Sequence, residues 1–360
     1  MKVAVRDITI RNFRGIKEGR LRGLEQVNIL IGKNNTGKST ILEAFYLVKA
    51  ALTEKDQLGR DVIEYLLRRR SPGREKGLLG ALWHGYKPRE PILIELAFSS
   101  GDVLVMEIGL RADELRATLL LKDKFRETIS RWTCYLWKER AKRKPKKRLV
   151  SDIPEERKEM TFARDALFLD VDAGMRLPQI EKAFWDAVLS IRADKKITAI
   201  LSEAYGATLD GITYAPKDGV LGLHILLPKT SIRVDEMGDG FKQALYMLMA
   251  ANSLENTLLM LEEPERHQHP GAMKVVLKNI LSLAEKRDLQ ILISTHSLEF
   301  TNICLRLCRD AGLKGKIFHL SLSPDGLLGV RALRGPDAQV LADLGIDLRD
   351  LELYARGMAP

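Results

Sequence analysis

An α/β fold organised on a buried parallel sheet is what this sequence predicts, and three observations lead there. Two apolar runs, Thr257 to Leu261 and Leu289 to Ile293, lack the alternation of a half-exposed strand and end in polar residues. Runs of that kind belong to strands covered on both faces. The third observation is a strand–turn–helix frame. Val27-Asn28-Ile29-Leu30-Ile31 leads into Gly32-Lys33-Asn34-Asn35-Thr36-Gly37-Lys38-Ser39-Thr40, and a helical pattern runs on from Ile41 to Leu47.

The turn has the spacing G-x-x-x-x-G-K-[S/T] of a phosphate-cradling P-loop. Its glycines let the backbone wrap a polyphosphate, and successive amides with the helix N-terminus point partial positive charge at it. In this reading Gly32, Asn34, Asn35, Thr36, Gly37 and Thr40 shape the cradle. Lys38 reaches the β- and γ-phosphates, and the Ser39 hydroxyl helps to hold Mg²⁺. The expected ligand is ATP with Mg²⁺, and the expected class a P-loop NTPase.

The other elements follow in chain order. Val3 to Ile10 alternates as a strand, and Asn12-Phe13-Arg14-Gly15 turns the chain toward a second strand. From about Thr53 to Glu90, charges and scattered glycines predict a helix and then an irregular connection. Pro91 to Phe98 and Asp102 to Ile108 alternate around Ser99-Ser100-Gly101, which predicts a hairpin, and Glu114 to Leu121 extends it. Lys138 to Arg148 is almost wholly basic and is preceded by Trp132, Tyr135 and Trp137. Lys142, Arg143, Lys144, Lys146, Lys147 and Arg148 are its candidates for phosphate-backbone contact, weighed against a merely solvated tip. Helical spacing returns from about residue 178 to 205, and Val220 to Leu227 reads as a strand.

Chemistry concentrates again in the second half. Glu262 and Glu263 end one buried run, where ligands of parallel sheets bind. Glu262 is assigned to Mg²⁺ and its water shell, and Glu263 to the attacking water. Ser294-Thr295-His296-Ser297 ends the other run, with His296 placed to sense the γ-phosphate. Gly238, Asp239 and Gly240 open a further helix and form a second anion-binding device.

Composition narrows the partners. Net charge is +10, which favours a polyanion. No apolar stretch approaches the roughly 20 residues of a membrane span and the N-terminus lacks a signal-peptide core. A cytoplasmic protein without a membrane partner is expected. Three cysteines, Cys134, Cys304 and Cys308, form no disulfide framework. At 360 residues the chain exceeds one ordinary core. Residues 1–52 and 220–360 are expected to form an ATPase head, with 53–219 inserted.

With these pieces in order, the chain resembles the ABC-type ATPases of the SMC/RecF/OLD group, closest to short OLD-like AAA-family ATPases without a nuclease domain. Ile8 to Ile16, the P-loop, Met237 to Phe241, Leu259 to Pro270 and Ser294 to Ser297 carry the resemblance. It implies an ABC-type head with a mixed central sheet flanked by helices. It implies two copies pairing head-to-tail around ATP, each Gly238–Gly240 turn closing on the nucleotide of the other. Glu263 is then the catalytic base, His296 the switch histidine, and Arg11 or Arg14 contacts nucleotide or the opposing copy. The implied role is a nucleic-acid transaction, DNA before RNA; the alternative is a slow nucleotide switch controlling a partner protein. Two departures stand out: Glu262 where the group has Asp, and a signature turn without serine.

Overall fold

The structure, a computed structural model, describes residues 3–70, 79–111, 114–138, 157–171, 177–217, 219–334 and 337. Strands β1 (Val5–Phe13), β2 (Ile16–Arg22) and β3 (Val27–Ile31) lead to helix α1 (Lys38–Ala50) and then α2 (Val62–Arg69). Four strands follow: β4 (Ile92–Phe98), β5 (Val103–Arg111), β6 (Glu114–Lys122) and β7 (Thr128–Lys138). Next come α3 (Lys158–Asp165), β8 (Leu167–Leu169), α4 (Leu177–Ser190) and α5 (Ala193–Tyr205). A hairpin and its edge, β9 (Gly211–Lys217), β10 (Val220–Leu227) and β11 (Thr230–Arg233), precede α6 (Asp239–Ser253). The chain then alternates β12 (Leu258–Glu262), α7 (Pro270–Lys286), β13 (Gln290–Ser294) and α8 (Leu298–Asp310), and β14 (Gly315–Leu322) and β15 (Leu328–Arg334) follow.

The described residues form three sheets. The central one has the order β15-β14-β3-β13-β12-β8, parallel throughout except for β15. Both of its faces are buried, as the unbroken apolar runs require. Met260 and Leu292 pack into one core, while Leu259, Leu261, Ile291 and Ile293 pack into the other. An antiparallel sheet, β2-β1-β4-β5-β6-β7, covers the first core. Helices α4 to α8 and the small sheet β11-β10-β9 enclose the second. Helix α1 lies inside the first core with every residue buried except Ser39. That explains why it has no polar face.

The expected division at residues 52 and 219 does not coincide with the sheets. Strand β1 pairs with β2 on one edge and with β4 on the other, so the 92–138 strands continue a sheet begun at the N-terminus. An unpaired strand edge is a template for further pairing, and β4 fills this one. Strand β8 of the same middle segment adds to the central sheet beside β12. Gln290 ties the two large sheets together: its amide receives a hydrogen bond from Val5 N (3.0 Å) and donates to Val5 O (2.8 Å) and Glu25 O (2.9 Å). The three cysteines are buried and none is in a disulfide. No described helix is long and apolar enough to cross a membrane.

Candidate functional site

Strand β3 sits in the middle of the central sheet and delivers the glycine loop to its carboxyl edge. Gly32 has φ +146°, and a Cβ there would lie 2.4 Å from the carbonyl oxygen of Leu320. Glycine is therefore required by both conformation and space. Asn35 (φ 61°) and Gly37 (φ 93°) take left-handed conformations and turn the backbone into α1. No side chain caps that helix, so the cradle and its first-turn amides are not satisfied by an N-cap residue. Lys33, Asn34 and Asn35 are exposed, Thr36 and Ser39 half-buried, and Thr40 buried.

Lys38 is buried and folds back over the loop, donating to Gly32 O (2.7 Å) and Lys33 O (2.6 Å). Burial pushes its pKa down to about 8, against an opposing pull from Glu263. The end of β12 thus acts electrostatically on the P-loop lysine, although the two lie far apart in sequence.

The acids and the histidine come from adjacent strand ends. Glu262 pairs in register with Ser294, and the Glu263 amide donates to Ser294 O at 2.8 Å. Glu263 itself has φ 46°, a left-handed conformation uncommon for a residue with a side chain. That twist separates the two acids: Glu262 is 5% exposed, whereas the Glu263 side chain is 36% exposed. His296 Nε2 lies 3.6 Å from Glu263 Oε1. Its loop is held by Thr295, whose amide donates to Leu30 O (3.1 Å) and whose hydroxyl donates to Glu265 Oε1. Ser297 caps α8 by accepting from Phe300 N (3.0 Å). Burial raises the pKa of Glu265, with hydrogen bonds from Thr295 and the His296 amide opposing.

Helix α6 begins at the Gly238–Gly240 turn. Gly240 cannot be replaced without a shift, because a Cβ would lie 2.3 Å from His267 O. Gln268 locks that approach, donating to Gly240 O (2.5 Å) and accepting from Tyr205 (3.0 Å). Gly238 is different: it is exposed, has an ordinary φ of −60°, and a Cβ would meet nothing within 4 Å. Gly240→Ala is expected to lower stability by about 1–3 kcal/mol through overpacking, while Gly238→Ala leaves it within about 0.5 kcal/mol. Denaturant unfolding of the two variants checks both.

One sequence-based assignment changes. Arg14 does not face the loop. It is buried, with Nε on Glu43 Oε2 (3.0 Å) and further bonds to Leu66 O (2.6 Å) and Ala81 O (3.2 Å). The reason is Glu43, a wholly buried carboxylate on α1 that must be neutralised. Arg11 stays at the surface, 3.4 Å from Glu18. The basic run from Lys142 to Arg148 lies outside the described residues; of its aromatic neighbours, Trp132 packs against the first core.

Sequence reasoning missed an arginine cluster behind the acids. Arg69, at the end of α2, bonds Glu262 Oε2 and lies 3.6 Å from Glu43, while Arg70 Nε reaches Glu43 at 2.8 Å. Its only signal was the string Arg68-Arg69-Arg70, which does not name its partners.

Among the described residues, no group of three or more His, Cys, Asp or Glu has the arrangement of a metal centre. Oxygen donors suited to a hard cation are present at Ser39 and Glu262, and Ser294 Oγ, buried at the register position of Glu262, has no hydrogen-bond partner. That set fits a magnesium ion carried in on the phosphates of its nucleotide.

A strand-borne glycine loop, an acidic pair and a histidine thus meet at one edge of the central sheet. The family described as "AAA domain, putative AbiEii toxin, Type IV TA system" matches residues 27–302. The chain belongs to this family. This AAA-domain protein is 20% identical over 332 residues to a Helicobacter pylori protein named "ATP/GTP phosphatase", covering 85% of the chain and 89% of the relative. It is 26% identical over 113 residues to an uncharacterised protein of Methanocaldococcus jannaschii, which covers 31% of the chain and 99% of that relative. Its fold is that of the Smc head domain of Pyrococcus furiosus, solved with the C-terminal domain of ScpA. The TM-score is 0.54 at 11% identity, covering 95% of this chain and all of that one (100%). The AAA-domain protein thus has an α/β P-loop fold of the kind seen in the Smc head domain.

Proposed function

We propose that the chain binds ATP with Mg²⁺ on the P-loop and hydrolyses it with Glu263 as the base. The observation that carries this is the meeting of Lys38, Glu263 and His296 at one sheet edge, with His296 Nε2 3.6 Å from Glu263 Oε1. Lys38 releases its loop carbonyls and neutralises the β- and γ-phosphates, which it contacts directly. Ser39 and Glu262 would hold the magnesium that accompanies ATP, and it would supply positive charge against the charge developing on the phosphates. Glu263 accepts a proton from water as its oxygen attacks the γ-phosphorus and the bond to the leaving ADP oxygen breaks. His296 orients that carboxylate and donates to the γ-phosphate.

The site is composite in this reading. Gly238 is exposed and free of any packing reason to be glycine, which suits a backbone approached by a ligand from outside. The outside ligand is ATP held by a second copy, so that ATP drives dimerisation and hydrolysis releases it. The first test is single-turnover ATP hydrolysis followed together with oligomeric state. ATP turnover without any change of mass would sink the composite site while leaving the ATPase intact.

The work driven by this cycle is placed on nucleic acid, DNA before RNA, in repair, chromosome maintenance or defence against phage. Net charge of +10 and the basic run support it. Changing Lys142, Arg143, Lys144, Lys146, Lys147 and Arg148 to glutamine is expected to weaken DNA binding. It should also flatten the salt dependence by about one power of salt concentration for each phosphate no longer neutralised. An unchanged slope in a filter-binding titration demotes the run to a solvated tip. A second reading rests on the family's own description, which names a putative toxin of a type IV toxin–antitoxin system. There the chain is a slow nucleotide switch on a partner protein, recognised by stable co-purification without DNA affinity.

A further inference from the structure

Arg69 is shared by two buried carboxylates 219 residues apart in the chain, Glu43 on α1 and Glu262 on β12, as the numbering of the two shows. Its guanidinium lies 4.9 Å above the ring of Phe168, from β8, so it is stacked on one face as well as bonded at its rim. Its side chain is only 12% exposed. Burial alone would lower its pKa, but Glu262, Tyr65 and Glu43 more than offset that, and the charge is retained. Glu43 does not depend on Arg69, since Arg14 and Arg70 hold its two oxygens at 3.0 and 2.8 Å. Glu262 does: its carboxylate is bonded through Oε2, and Arg69 is the partner.

A glutamate at this strand end reaches one methylene further than an aspartate and has an extra rotatable bond to fix. An arginine held by stacking and by a second acid is a rigid fork, which a lysine does not reproduce. Groups behind a metal-binding carboxylate orient it and tune its affinity. We propose that Arg69 is the positioning residue of Glu262: it holds one carboxylate oxygen from the protein side, orients the other toward the magnesium that accompanies ATP, and sets how tightly that magnesium is held. The proposal deepens the ATPase reading and rests on it.

Two effects of opposite sign follow. A fixed positive charge on Glu262 opposes magnesium, so its loss tightens the metal. A fixed orientation serves turnover, so its loss slows the reaction. The test uses the full chain and measures ATP affinity by calorimetry across a range of free Mg²⁺, a readout that needs no turnover. In Arg69→Gln the Mg²⁺ midpoint is expected to fall about tenfold, equivalent to roughly 1.4 kcal/mol, while kcat falls rather than rises. In a Glu262→Gln background the same substitution is expected to move the midpoint by less than about twofold, because the coupled partner is gone.

A folded Arg69→Gln with an unmoved midpoint, or a shift that persists without the Glu262 carboxylate, overturns the proposal. Should Arg69→Gln not fold, Arg69→Lys decides. It keeps the charge and is expected to keep the midpoint while losing about tenfold or more in kcat; an unchanged kcat overturns positioning. Failure of the parent chain to bind ATP removes the ATPase reading and this proposal together. ATP binding by the parent with no effect at Arg69 removes this proposal alone.

Discussion

Replacing Lys38 by alanine is expected to weaken ATP binding severely. The ammonium is buried, and truncating one partner of a buried charge-assisted pair costs about 2–5 kcal/mol, or roughly 30- to several-thousand-fold in affinity. The substitution also removes the bonds from Nζ to Gly32 O and Lys33 O that hold the loop in shape. Calorimetric titration checks it, and tight binding by the variant would refute the P-loop assignment. A pH series adds a second readout. Burial places the Lys38 pKa at about 8 in the free protein. Phosphate selects the protonated form, so affinity is expected to be full below that value and to decline as pH rises through it. The decline belongs to Lys38 if it is absent from the residual binding of Lys38→Met.

Glu263→Gln is expected to lower turnover by about 10²- to 10⁴-fold, the usual worth of a general base, while ATP affinity stays within a few-fold. The amide matches the carboxylate in shape, so the left-handed backbone at φ 46° has no new reason to relax. What changes is proton acceptance. If the site is composite, an ATP-bound dimer accumulates, and static light scattering then reports a doubled mass that returns to monomer on dilution without nucleotide. A variant that turns over like the parent would remove Glu263 from the reaction.

The parts of this site that could be read in the sequence are those carried by contiguous strings. The P-loop, the acidic end of β12 and the Thr-His-Ser end of β13 each combine a local motif with an uninterrupted apolar run, and such runs have few alternatives. Strand β10 likewise falls at Val220–Leu227, the segment expected to be a strand. What could not be read is long-range pairing. Strand β8 has three residues, too few to carry a period, yet it supplies Phe168 beneath Arg69. Arg14 sits in a turn next to a strand, where an exposed arginine is the ordinary expectation. Only the position of Glu43, 29 residues on, turns it inward. The bond from Arg69 to Glu262 spans 193 residues, and no local pattern encodes it.

Strand β8 has one more consequence, for how copies of this chain can associate. It is the outer member of the central sheet at that side, and outer strands with free peptide groups recruit strands from other molecules. With three residues, β8 leaves almost no ladder to extend. Sheet-to-sheet joining there offers too few hydrogen bonds to outlast collision. At this edge a chance encounter between copies has no ladder to grow into, and so does not become a permanent one.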